Sequence, residues 1–487
     1  MGESGSAGDK KSKKAEKDCE GFGRALYNFV SLVEGYDQQM LPMCMRAFEI
    51  TLGVSQSQLS TMATMSTMSQ LGCCLIWGIL VDKRDPNYVL AAGLLVVGMA
   101  SILLSSASRY KVILFMRFLH GFAFASIYPS QQRIVSDSQD EDSFSLVFGI
   151  LQGLNCLGRL LCAFVTTLIA QKLMLGYYGW RTSYIVLGYV WILVGVAIIF
   201  GMRISPKTNS GAAESNSQSN VVSKDDENFI QQIADSFKNV FTSATPIILI
   251  FAVFISEAPL CAFSYMVLYL QYLGVSDVMS GVAVAVTLIG AAVGCAAGGW
   301  ILKRVLKETD NNYIHLACGT ALMVIRLVVC LCFFLGKAPP GRLLWYHYVE
   351  FALIGASLMT LGAVDRPLIN NSIPQKLQGT ASAIIRCISG IASSVIFYQL
   401  AAYLSEKVFG YVPSREAFET MEVSIKDKNA EALRKSMMSI IVAGTVLNIV
   451  CYGALFGIYP EHKRQVKTHS TTAPGQTPPV GTANMTC

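Results

Sequence analysis

Two carboxylates stand inside an otherwise apolar stretch near the start of the chain: Glu34 and Asp37, within Leu32-Val-Glu-Gly-Tyr-Asp-Gln-Gln-Met-Leu-Pro42. Their i, i+3 spacing puts them on one face of a helix. An ionised acid in hydrocarbon is costly, so that face is expected to turn toward a polar cavity. Burial and the neighbouring like charge both favour the protonated acid, which is what a proton-coupling site needs. The plainer reading is an ion pair locked for packing. Depth supplies candidate counter-charges. Counted along their own apolar segments from the tail side, Asp37 lies at roughly 21 Å, Arg117 at roughly 22 Å and Arg159 at roughly 24 Å. Either arginine at that level would oppose protonation of the acid, so the balance is left open.

The second half of the chain offers Glu257 in Ile-Ser-Glu-Ala-Pro-Leu, with Pro259 able to break its helix and free backbone carbonyls toward a cavity. Arg326 is also mid-segment, whereas Glu350, Asp365, Arg366 and Arg386 sit nearer segment ends and read as structural or gate residues. His120, His315 and His347 have no acid or nucleophile at catalytic spacing, and each reads as a packed or interfacial side chain. There is no H-x-x-x-x-D and no Walker loop. The 14 cysteines fall mostly inside apolar runs without zinc-ligand spacing and read as small packing residues. No metal, no cofactor and no enzymatic chemistry are expected.

The elements that must position these groups are membrane spans. Of 487 residues, 53% are hydrophobic and only 14% charged, and the mean hydropathy is +0.46. That is far too little charge to cover a soluble protein of this size. Apolar windows place twelve spans near 23–45, 58–81, 88–106, 112–132, 143–171, 182–202, 246–272, 280–302, 313–335, 343–369, 379–403 and 437–458. The expected organisation is a disordered basic cytoplasmic tail (1–22), a six-helix bundle (23–203), a cytoplasmic linker (204–245), a second six-helix bundle (246–458) and a cytoplasmic tail (459–487). In the linker, Ser205–Asn228 is polar and Ser/Asn-rich, and Phe229–Phe241 has the spacing of a short amphipathic surface helix. The N-terminal stretch has no apolar h-region, so no cleavable signal is expected. Its Met-Gly-x-x-x-Ser matches the crude myristoylation pattern, but a basic tail is the favoured reading.

The net charge of +6 reflects Lys and Arg gathered in tails and loops and implies no nucleic-acid partner. Lys83/Arg84, Lys303/Arg304/Lys307, the linker and both tails share one side, which the positive-inside rule makes cytoplasmic. The charged stretch 404–436 is on the far side, but it is long and mixed in sign. Leu-Gly-Val-Ser occurs at 52–55 and again at 273–276, each just after the first span of its half, and the same offset carries Gly78 onto Gly299. Two matches at one offset argue for duplication of a six-span unit, and Glu257 falls one repeat from Tyr36. Internal repeats with a site at their interface are a transporter's architecture.

Three short motifs make the resemblance specific. Gly78-Ile-Leu-Val-Asp82-Lys83-Arg84 after the second span resembles the G-x-L-x-D-R loop of the major facilitator superfamily. Arg117-Phe-Leu-His-Gly121 resembles its R-x-x-x-G element in the fourth span, and Gly179-Trp180-Arg181 its triplet before the sixth. The resemblance covers all twelve spans and implies an all-α polytopic membrane protein: twelve transmembrane helices in two six-helix repeats, the major facilitator fold. It also implies a conformational latch in which Asp82 holds the start of the eleventh span at Gly379, with Arg133 as a second partner and Gly78 allowing close approach. The second copy, Gly299-Trp-Ile-Leu-Lys303, has Lys in place of the acid, and the fifth span lacks the Gly-Pro of the drug antiporters. Gly-Tyr-Asp-Gln-Gln is similar to the first-span region of the spinster and organic-anion branches, with Gln38 in place of arginine.

The expectation is a monomeric secondary transporter in a lipid membrane, plasma or endolysosomal. It would move a zwitterion, organic anion or lysolipid by alternating access, with protons as the coupling ion. Its proton and substrate cavity would use Glu34, Asp37, Arg117, Arg159, Glu257 and Arg326. The alternatives are a non-transporting sensor on the same fold and an uncoupled uniporter.

Overall fold

The computed structural model describes residues 4–138, 141–174, 176–204, 241, 244–308, 313–336, 338–372, 378–418 and 420–471. Outside the described residues fall the linker with its expected amphipathic helix, the last residues of the C-terminal tail, and the side chains of the N-terminal basic tail. The side chains of Asp82, Lys303, Arg366 and the glycines at 299 and 379 fall outside them too.

The described chain is helical apart from one two-stranded hairpin. The order is α1 (Ser4–Leu52), α2 (Gln56–Lys83), α3 (Pro86–Ser106), α4 (Tyr110–Phe124), α5 (Ile127–Ser138) and α6 (Glu141–Ile169). Then come β1 (Leu173–Met174), β2 (Tyr177–Tyr178) and α7 (Gly179–Ile204). The second half is α8 (Ala244–Ser256), α9 (Ala258–Phe263), α10 (Met266–Tyr272), α11 (Asp277–Glu308), α12 (Ile314–Gly336), α13 (Trp345–Asn371), α14 (Gln378–Tyr403, continued as a π turn, Leu404–Val408) and α15 (Val423–Thr471). Among the described residues, 10 stretches are long and apolar enough to cross a membrane, α4–α5 and α8–α10 each counting as one. The other two spans are α1, whose apolar run is interrupted by Glu34, Asp37, Gln38 and Gln39, and α13, which carries Glu350 and Asp365. At 27 residues α13 is roughly 40 Å long, ample for a bilayer.

Local chemistry explains the repeat. In Leu52-Gly-Val-Ser55, Gly53 takes a left-handed φ of 65°, and Ser55 caps α2: its Oγ accepts from the Gln58 amide at 3.2 Å while Gln58 Oε1 accepts from the Ser55 amide at 3.0 Å. In Leu273-Gly-Val-Ser276, Gly274 takes φ 86° and Ser276 Oγ accepts from the Met279 amide at 3.4 Å. Each motif is a left-handed turn followed by a helix cap, which only a Gly and a short hydroxyl satisfy together.

Packing repeats as well. α2 lies on α4 and α11 on α13; α3 lies on α7 and α12 on α15. The halves meet through α2 against α14 and α6 against α11, two contacts that exchange under a six-span shift. In the first half Phe48 of α1 packs on Trp180 at 4.7 Å between ring centroids, and Trp180 Nε1 donates to Thr51 at 3.1 Å. Arg181 donates to the Ala107 carbonyl at 3.1 Å. The Gly-Trp-Arg triplet therefore ties the start of the sixth span to the ends of the first and third. The charged stretch after α14 is part helix: α15 begins at Val423, 14 residues before the apolar window, and Arg434 makes a two-pronged bond to Glu431 at 2.7 and 2.8 Å.

Candidate functional site

The first and fifth spans cross in backbone contact. A Cβ on Gly35 would overlap the Asn155 carbonyl, and one on Gly158 would overlap the carbonyl of Leu32. This approach sets Glu34 and Gln38, one turn apart on α1, against Asn155 and Arg159, one turn apart on α6. Gln38 Nε2 donates to Glu34 Oε1 at 3.1 Å, and Arg159 donates to the Gln38 carbonyl oxygen and, through Nε at 3.1 Å, to Asn155 Oδ1. The Asn155 amide also lies beside the Glu34 carboxylate. Glu34, Gln38 and Arg159 are half-buried.

Asp37 faces elsewhere. It is 4% exposed, inside the first bundle rather than on the cavity wall. Its Oδ2 accepts from His120 Nε2 at 3.0 Å and from Trp191 Nε1 at 2.7 Å. His120 is equally buried, stacks on Phe124 at 5.4 Å, and its Nδ1 has no partner. The expected pairing of Asp37 with Arg117 is not made. Arg117 donates to the Tyr184 hydroxyl, its Cζ stands 5.0 Å from that ring's centroid, and its Nε is unpartnered. Arg117 and His120 are three residues apart on α4, so the helix hands the acid the imidazole and gives the guanidinium to α7. The reading of His120 as a merely packed side chain is thereby corrected: it has an acid partner 83 positions away in sequence.

In the second half Pro259 does interrupt its span. α8 ends at Ser256, Glu257 precedes α9 without a side-chain capping bond, and a second break follows at Ser264–Tyr265. Half-buried Glu257 lies within electrostatic reach of Arg386 and Asp365. Asp365 accepts from the Tyr452 hydroxyl. Arg326 is 1% exposed and lies inside the second bundle, where its Nε donates to Thr445 at 3.1 Å while both terminal nitrogens are unpartnered. Asn448, one turn beyond Thr445, is buried with neither amide atom bonded. The structure thus brings Glu34 and Arg159 together, sets Asp37 and Arg117 behind them in the bundle core, and keeps Glu257 and Arg326 on the other half.

Most of the described bonds between the halves lie in the part of the spans remote from the tails, with the Cys387 thiol and the Leu71 carbonyl meeting near mid-span at 3.5 Å. Thr64 donates to the Ser394 carbonyl at 3.0 Å, Gln399 to Thr61 at 3.2 Å, and Gln171 to Asp277 at 3.2 Å. At the end of α1, Arg46 and Glu49 form a buried ion pair at 2.7 Å. Tyr272 donates to Glu49 at 2.9 Å, as does Tyr411 at 2.7 Å, and the Ser414 amide adds a contact at 3.2 Å. Arg46 in turn reaches the carbonyls of Ser414 (3.0 Å) and Glu416 (2.6 Å) and stands 4.3 Å from the Phe418 centroid. The stretch 409–422 is thus strapped across the far end of the first half. Nothing in the sequence spacing announced this, because its partners come from three distant segments.

The contact expected of the latch, Asp82 with the start of the eleventh span at Gly379, lies outside the described side chains. Arg84 is the exposed C-cap of α2, and Arg133 is exposed on α5. Among the described residues, a Cβ on Gly78 would meet no atom within 4 Å.

Comparison with known proteins agrees with this architecture. The family model described as Major Facilitator Superfamily matches residues 27–397. Among curated proteins, the multidrug resistance protein MdtL of Vibrio parahaemolyticus serotype O3:K6 is 24% identical over 273 residues, 56% of this chain and 64% of that one. MdtL of Salmonella paratyphi C is 27% identical over 154 residues, 32% of this chain and 38% of that one. The chain therefore spans less than two thirds of the length of these relatives. Among solved structures, an inward-facing, unoccupied bacterial homologue of the human lysosomal transporter Spinster superposes with a TM-score of 0.73 at 14% identity, covering 92% of this chain and 98% of that one. The nucleoside transporter NupG gives 0.61 at 9% identity (90% and 98%), and a D-xylose–proton symporter 0.60 at 12% (87% and 96%). At these identities the likeness is one of fold.

Proposed function

The chain belongs to the Major Facilitator Superfamily, and from that premise we propose that it is a secondary transporter, moving a small organic solute across a membrane by alternating access with protons as the coupling ion. The observation that carries proton coupling is the Asp37–His120 pair. A carboxylate and an imidazole share a hydrogen bond in the core of the first bundle, and the imidazole's second nitrogen has no hydrogen-bond partner among the described residues. With a neutral imidazole, Nε2–H donates to Asp37 and Nδ1 carries only a lone pair. Adding a proton to Nδ1 leaves a buried N–H unpaired, a penalty of about 1–3 kcal/mol, so protonation favours a conformation that supplies a partner. The groups facing this pair are Glu34 on α1, Cys162 on α6, and Tyr184 and Trp191 on α7, with Arg117 of α4 and Cys44 of α1 next to Tyr184. Arg117 is the cation among them, and its described hydrogen bond goes to the Tyr184 hydroxyl.

The bonds on the far side support a state closed there and open toward the tails, and the basic loops favour a cytoplasmic tail side. The fold likeness supports the spinster-like placement, while the names of the sequence relatives favour a second reading, export of drug-like compounds. Uptake of a solute panel into proteoliposomes with and without an imposed pH gradient separates the readings. Accumulation only with the gradient is expected. Equilibration that ignores the gradient would point to a uniporter, and no flux at all to a sensor.

A further inference from the structure

We propose that the Glu34–Gln38–Asn155–Arg159 cluster recognises a zwitterion, the ammonium of the solute going to Glu34 and its anionic group to Arg159. This rests on the transporter reading above. A carboxylate and a guanidinium brought this near in a low-dielectric wall ordinarily close into a direct two-pronged pair. Here no ion pair joins them. Gln38 stands between, giving its N–H to Glu34 and its carbonyl to Arg159, and Asn155 accepts from Arg159 Nε while its amide lies beside Glu34. The two amides hydrogen-bond each charge and stand between the two groups, which remain within electrostatic reach of each other without a direct bond. Gly35 and Gly158 hold the two helices at backbone contact, so the separation is built into the scaffold and not left to side-chain freedom.

The cluster is open to a ligand. Glu34 and Arg159 are half-buried, and Arg159 Nη1 makes no hydrogen bond among the described residues. Across the gap between the halves Arg159 is within electrostatic reach of Tyr398 on α14, which in turn reaches Glu257 at the break before α9. The charges therefore face the interface where alternating access exposes a solute. Charge matching decides the class. A simple anion bound at Arg159 would face the Glu34 carboxylate, a simple cation at Glu34 would face the guanidinium, and a neutral sugar would desolvate both groups while offering neither a new counter-charge. A solute carrying both signs satisfies both. That chemistry is shared by free amino acids and by the headgroup of a zwitterionic lysolipid.

The test measures thermal stabilisation of the purified full chain in detergent, with no gradient present. One arm compares neutral α-amino acids with their deaminated acids and their decarboxylated amines; the other compares lysophosphatidylcholine with lysophosphatidic acid. In one arm the zwitterion should bind at least tenfold more tightly than its singly charged relatives, and that arm names the source. Glu34→Gln should abolish the discrimination against the anion, and Arg159→Gln should abolish zwitterion binding. The proposal is overturned if anions bind wild type as well as zwitterions do. It is equally overturned if no zwitterion binds in either arm, or if a folded Glu34→Gln keeps full discrimination. The wild-type panel decides even where a variant does not fold. Because no gradient is used, a negative result here leaves the proton-coupling test to be read separately.

Discussion

At the level of single residues, Asp37 and Arg117 share a depth but not a bond. The acid takes two ring N–H donors, from His120 and Trp191, and the guanidinium lies over Tyr184. His120→Gln keeps an N–H for Asp37 but cannot take up a proton. Gradient-driven accumulation is expected to fall to the level seen without a gradient, while the protein remains inserted and binds solute. Wild-type accumulation in that variant would remove His120 from the coupling site. For Arg117→Lys, loss of the planar contact with Tyr184 should destabilise the protein by about 0.5–2 kcal/mol, read as a lower melting temperature, with the pH profile of uptake retained. A severalfold loss of solute affinity without a change in melting temperature would instead make Arg117 a substrate ligand. Glu34 and Asp37 were legible because an acid in an apolar run is rare. Gln38, Asn155, Tyr184 and Trp191 were not, since uncharged amides and aromatics are ordinary in spans and their partners come from other helices. His120 had a usable signal: its place three residues after Arg117 in a span otherwise poor in polar side chains.

Among the elements, the repeated Leu-Gly-Val-Ser and the Pro259 break were readable because each imposes a backbone geometry that few residues tolerate. The strap at 409–422 was not, because a mixed-charge loop carries no periodicity and its grip on Arg46 and Glu49 comes from backbone carbonyls and tyrosine hydroxyls. The buried ion pair makes the strap testable. Glu49→Gln leaves Arg46 buried without its counter-charge, and removing one partner of such a pair costs about 3–5 kcal/mol. The far-side-closed state should lose that much, so a cysteine at position 60, in the α2 contact with Tyr265, should become reactive to impermeant thiol reagents added from the far side. Unchanged reactivity would show that the other contacts hold this end shut by themselves. Gly35→Ala addresses the other key contact. With Asn155 backbone in the path of the new Cβ, α1 and α6 must separate, and a fall in melting temperature with loss of solute binding is expected. Unaltered stability would mean the crossing is looser than drawn.

For the whole molecule, the twelve spans, the duplication and the family were legible because hydropathy and turn chemistry act locally and recur. The conformational state was not legible. Gly78 and its loop fit a latch by motif, yet a Cβ on Gly78 would meet no atom within 4 Å among the described residues, while the two halves are bonded at the opposite end. A latch at the tail end, expected from the motif, opposite the strap at the far end would let the protein close one end at a time, as alternating access requires. The most direct measurement is made on reconstituted Asp37→Asn beside wild type, using the solute that the binding panel identifies. Solute exchange at equal pH on both sides is set against accumulation driven by a pH gradient. Wild type should do both; Asp37→Asn should keep exchange and lose accumulation. Gradient-driven accumulation at wild-type level in Asp37→Asn would contradict the assignment of the proton to the Asp37–His120 pair.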